Sequence, residues 1–115
     1  MTRADAEDRA TAELRRARTA REMGTEGMAR VCARRAAGAA LTFWLQHRAR
    51  PYWGSDALGR LKLLARDPAV PEKVRESAGR LTARVAPDFS PPSAVDPLED
   101  AAHVIGWLLA DGSAG

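Results

Sequence analysis

The chain reads as an all-α protein, an antiparallel up-and-down bundle of four to five helices, and three observations predict this. It is rich in alanine and poor in β-branched residues, and no stretch of strand length alternates with period two. Its apolar residues recur at three- and four-residue spacing, in segments separated by glycine or proline. At 115 residues it is long enough for one domain that buries about two-thirds of its unfolded surface without a metal or disulfide staple. Residues 1–115 are therefore expected to form a single helical domain, with 111–115 frayed.

The first helix is expected over Asp5 to Met23, where Ala10, Leu14, Ala17 and Ala20 make one thin apolar stripe. Gly24 ends it, and Thr25 is placed to cap a second helix running to Arg48. In that helix Met28, Cys32, Ala36, Ala39 and Phe43 share a stripe. Ala33, Ala37, Ala40, Leu41, Trp44 and Leu45 flank it, so the second half is apolar nearly all round and is expected to be central. Its run of small residues, Ala36 to Ala40, admits close helix approach.

Pro51-Tyr52-Trp53-Gly54 breaks the chain, and Ser55 or Asp56 caps a short helix ending near Asp67, with Leu58, Leu61, Leu64 and Ala65 inward. Pro71 suits a first helical position, and Val74, Ala78, Leu81 and Val85 carry a fourth helix to Ala86. Three prolines between Pro87 and Val95 exclude a helix there, and Phe89 is expected to anchor that loop by packing. Asp96-Pro97-Leu98-Glu99 combines an Asp cap, proline at the first position and Glu at the third. The last helix then runs to Ala110, with Leu98, Ala101, Ile105, Leu108 and Leu109 as its core stripe.

The net charge is +3, with a lopsided distribution. Residues 1–50 hold eleven arginines against six acidic residues, and residues 51–115 hold seven basic against nine acidic. A basic amino-terminal half favours phosphate-bearing partners, although a solvated, self-paired surface accounts for the same excess. Cys32 is the lone cysteine, so no intramolecular disulfide forms and a reducing, cytoplasmic location is expected, with Cys32 acting as a small buried hydrophobe. The amino terminus lacks the apolar core of a signal peptide, and no apolar run approaches the ~20 residues of a membrane span. A soluble protein without membrane contact is expected.

Catalytic raw material is sparse, and no catalytic residue is assigned. Cys32, His47 and His103 lack metal-ligand spacing, and the G-x-x-x-x-G-K phosphate loop is absent, so neither metal nor cofactor is expected. Arg30 and Arg34, four apart on the second helix, have Gly38 one further turn along the same face. Two guanidinium groups above a notch without a side chain make this trio the candidate anion site. Pairing of those arginines with Glu13 or Glu76 is the alternative. Trp44 and the His103–Trp107 pair, four apart on the last helix, are the candidate interface, because indoles left outside a small bundle create an apolar patch.

Several of these features together resemble the HEPN family of small prokaryotic helical bundles. They are the small-residue second helix, the Trp53-Gly54 break, the Pro87-Asp88 loop and the amphipathic last helix. The family's second-helix pattern of an aromatic, Ala, Gln-Gln, Ala-Ala-Glu and Ala-Leu-Lys aligns without gaps on Val31 to Thr42. Its Trp-Gly-His-Ser falls on Trp53 to Asp56, and its Arg-Tyr-Pro-Asp on Val85 to Asp88. Apolar and turn positions agree. Polar ones depart: Arg34-Arg35 stands for Gln-Gln, Gly38, Thr42 and Ser55 for Glu, Lys and His, and Val85-Ala86 for Arg-Tyr.

The resemblance implies a bundle that homodimerises, a nucleotide-binding role, and pairing with a small nucleotidyltransferase in a toxin–antitoxin-like module. Ribonuclease members of the family carry Arg followed, after four to six residues, by His. Neither His47 nor His103 has an arginine in that window, so the expectation is a non-catalytic protein. The alternative is a nucleotide- or RNA-binding module using the amino-terminal arginines, and a degenerate ribonuclease stands third.

Overall fold

The computed structural model describes residues 1–47, 54, 56–83 and 95–110, and among these it contains five α-helices and no strand. The chain is all-α. Helices α1 (Arg3–Glu22) and α2 (Glu26–Gln46) form a hairpin through the Met23–Thr25 turn, followed by α3 (Ala57–Leu64), α4 (Glu72–Thr82) and α5 (Pro97–Leu109). The expectations for Trp53, Ser55, residues 84–94 and residues 111–115 lie outside the described residues.

Helix α1 begins two residues before the expected Asp5, because Thr2 and Asp5 cap one another. The Thr2 hydroxyl accepts from the Asp5 N–H, and the Asp5 carboxylate accepts from the Thr2 N–H. Gly24, at φ 79°, makes the tight exit that a side chain would strain. Thr25 precedes α2 as expected, but its hydroxyl donates to the Ala20 carbonyl oxygen rather than capping α2. Asp56 caps α3 by accepting from the Leu58 and Gly59 N–H groups, and Asp96 caps α5 by accepting from Leu98 N–H. Pro71 stands at the N-cap of α4 rather than inside it, and α4 closes at Thr82.

Helix α2 is central. It packs along α1 on one side and α5 on another, and also meets α3 and α4, while α4 packs on both α3 and α5. This is why its second half is apolar nearly all round: Ala33, Ala36, Ala37, Ala40, Leu41 and Trp44 are all buried. Leu61 and Leu64 from α3, Val74, Ala78 and Leu81 from α4, and Ala101, Val104 and Leu108 from α5 complete one continuous core. Trp44 fills its centre at 1% exposure, against Trp107 at a ring-centroid distance of 5.9 Å. No helix among the described residues is long and apolar enough to cross a membrane.

Candidate functional site

Arg30 and Arg34 lie on the face of α2 that meets α4, and both guanidinium groups are turned onto the carboxyl end of that helix. Arg30 donates to the carbonyl oxygens of Arg80 and Ala83, and Arg34 to those of Leu81 and Ala83. Carbonyls in a last helical turn have no intrahelical donor, so two cations are well placed there by hydrogen bonding and by the helix dipole. Burial lowers the proton affinity of both, and for Arg30 the neighbouring Arg34 adds to the effect. The two residues are thus the C-terminal cap of α4. They pair with neither Glu13 nor Glu76: Arg30 Nη2 and Arg34 Nε and Nη2 donate to protein backbone, while the buried Arg30 Nε has no hydrogen-bond acceptor among the described residues.

Gly38 lies elsewhere, with α3 against it. A Cβ placed on it would come within 3.0 Å of the Ala57 Cβ, so the missing side chain serves close approach of α2 and α3. Beside this contact, α1, α2 and α3 enclose a hollow of about 430 Å³, and Gly38 and Ala39 form part of its lining. Four arginines reach it: Arg9 and Arg16 from α1, Arg35 from α2 and Arg60 from α3. Among the described residues its wall holds one carboxylate, Glu13. The sequence trio is therefore divided: Gly38 belongs to the hollow, while Arg35, and not Arg30 or Arg34, accompanies it.

Helical geometry explains the arrangement. Positions 9, 12, 13 and 16 share one face of α1, and 35, 38, 39 and 42 share one face of α2. Small residues at Ala12, Gly38 and Ala39 keep the space between the helices open, and the arginines stand around it. Arg60 is fixed in place, donating from Nε to the Gly54 carbonyl oxygen at 2.8 Å and from Nη1 to Thr42 Oγ1 at 3.0 Å. The Thr42 hydroxyl in turn donates to the Gly38 carbonyl oxygen at 2.9 Å. Arg9, Arg16 and Arg35 are exposed, and Arg16 is engaged by Glu13 Oε1. A second hollow of about 760 Å³ continues along the hairpin towards its turn, sharing Ala12, Arg16 and Arg35 with the first. Met23, 75% exposed, and Met28, 51% exposed, stand at its far end with buried Cys32 behind. Met28 thus leaves the core stripe it was expected to join.

The candidate interface residues separate as well. Trp44 is enclosed in the core and offers no indole to a partner, and Trp107 is half-buried against it. Among the described residues the two indoles form no surface patch, because Trp44 is buried in the core and Trp107 packs against it. His103 is exposed and its Nδ1 shares a 3.0 Å hydrogen bond with the buried Ser77 hydroxyl of α4. Next to it Arg80 grips the buried Asp100 carboxylate from Nε and Nη2, at 2.8 to 3.1 Å. That hydrogen bonding raises the proton affinity of Arg80. The cluster clamps α4 to α5: the Asp100 carboxylate is occupied by Arg80, and the Ser77 hydroxyl is sealed from solvent. Composition and spacing gave no sign of it, since its members come from two helices. His47 Nδ1 hydrogen-bonds the Phe43 carbonyl oxygen of its own helix.

No family model matches this chain, and no curated protein or solved structure matches it.

Proposed function

We propose that this protein is a non-catalytic, HEPN-like up-and-down helical bundle that binds a phosphate-bearing ligand, a nucleotide or RNA, in the groove between α1, α2 and α3. One observation carries this reading: Arg9, Arg16, Arg35 and Arg60 line a single hollow in whose wall Glu13 is the only carboxylate among the described residues. Like charges brought together from three helices oppose folding, and an anion among them removes that cost. Guanidinium forks suit phosphate oxygens, and Arg60 is already oriented by Gly54 and Thr42. The rim arginines are exposed and free of the backbone duties that occupy Arg30 and Arg34.

The test is titration of a fluorescent RNA oligomer and of ATP at about 50 mM salt. Saturable binding is expected, falling as salt rises with a log–log slope near −0.7 per phosphate contact for a single strand. Changing Arg9 and Arg35 together to Gln weakens it at least about tenfold, as loss of charge-assisted contacts requires. Arg34→Gln leaves affinity unchanged in the folded protein. Failure of the unaltered protein to bind either ligand at low salt refutes the reading.

A second reading rests on Met23 and Met28, which leave an apolar patch at the hairpin turn. It makes the turn the contact for a second copy or for a nucleotidyltransferase partner, replacing the tryptophans in that role. Sedimentation of the protein with Met23 and Met28 both changed to Gln addresses it: an oligomer that persists unchanged rules this surface out.

A further inference from the structure

Within the arginine-lined hollow, Glu13 pairs with Arg16 on its own helix, but it works against a ligand that offers only phosphate. It lowers the local positive charge, and it competes with the ligand for Arg16. Its side chain is 13% exposed, and its Oε2 is buried with no hydrogen-bond donor among the described residues. A buried carboxylate oxygen left unmatched is costly, so its position calls for a donor. The neighbouring groups that could donate are arginines of the same wall, and these are the groups that phosphate would draw away.

We propose that Glu13 reads a sugar hydroxyl, so that the groove takes a ribose phosphate: arginines hold the phosphate and the Glu13 carboxylate accepts from the ribose diol. The proposal rests on the phosphate-binding reading above and adds the residue that reads the sugar, selecting ribose over its deoxy forms. Arg16, whose side chain is 69% exposed, swings from Glu13 to the phosphate. The terminal torsion of glutamate is soft, so the released carboxylate turns an oxygen into the hollow. The ligand then supplies both the anion that the arginines lack and the donor that Glu13 lacks. Hydrogen bonding by a carboxylate to ribose hydroxyls is a geometry that proteins use to distinguish ribose from its deoxy forms.

The experiment compares three probes on the full chain by calorimetry: pyrophosphate, ADP and 2′,3′-dideoxy-ADP. The unaltered protein is expected to prefer ADP over the dideoxy form by about tenfold or more, the scale of one hydrogen bond to a charged group. Glu13→Ala, which keeps helix propensity, brings that ratio to about one while pyrophosphate binds as tightly as before or more tightly. Glu13→Gln retains an acceptor without the charge and keeps part of the preference. Equal binding of ADP and its dideoxy form by the unaltered protein overturns the role of Glu13 and leaves the phosphate site standing. An unchanged preference in Glu13→Ala also overturns it. If pyrophosphate and both nucleotides all fail to bind, the phosphate site falls and this proposal with it.

Discussion

Replacing Arg34 with glutamine should destabilise the protein by about 2 kcal/mol, far more than loss of a surface ion pair, which is about 0–1 kcal/mol. The difference follows from where its donors go. Arg34 Nη2 reaches the Ala83 carbonyl oxygen at 3.1 Å and its Nε reaches that of Leu81, in a half-buried position at the end of α4. Hydrogen bonds from a charged donor contribute about 1.5–3 kcal/mol, desolvation of the guanidinium offsets part of this, and glutamine keeps the helix propensity of α2. For a chain of this length, about 2 kcal/mol corresponds to a fall in Tm of about 8 °C. Arg30 sets up a sharper test, since it also donates to Ala83. Either single change leaves that carbonyl one donor and relieves the repulsion between the two cations; the double change orphans the carbonyl. Changing both to Gln should therefore cost about 1 kcal/mol more than the sum of the single changes, a coupling typical of groups sharing a partner. Urea and thermal unfolding of the four proteins measure this. A fall below about 2 °C for Arg34→Gln, or strict additivity, refutes the assignment of these arginines as the cap of α4.

Two further outcomes follow from other contacts. The Arg21 guanidinium and the Leu98 N–H hold the Asp96 carboxyl below the usual carboxylate range, so the stability it contributes is present at neutral pH and lost as pH falls below about 4. Asp96→Asn keeps the N-cap acceptor and loses the ion pair, at about 1 kcal/mol in this half-exposed position, and its unfolding free energy should vary less with pH between about 4 and 2. Gly38→Val drives branched methyls against Ala57, which overpacking places at about 1–3 kcal/mol, and it displaces Arg60 with α3. Ala57→Gly added to it should restore part of the lost stability and of the anion binding, and no recovery of either by denaturation and titration would show that this contact is not the cause.

The sequence by itself determined the all-helical class, because composition and three-to-four spacing allow little else, and it placed the Asp96 cap and narrowed the α3 cap to Ser55 or Asp56, since cap signals are local. The central position of α2 was also legible, since a helix apolar on nearly every side has to be buried on nearly every side. What local spacing cannot decide is which neighbour lies against which polar face. Arg34 and Arg35 are adjacent in sequence but about 100° apart around α2. That single-residue step therefore sends Arg34 to the end of α4 and Arg35 to the groove beside α1. Likewise Trp44 could not be assigned to core or surface until α5 brought Trp107 against it. Arg9, Arg16, Arg35 and Arg60 became one group only through packing, because three helices separated along the chain supply them, and no spacing rule within one helix relates residues that only tertiary contact brings together.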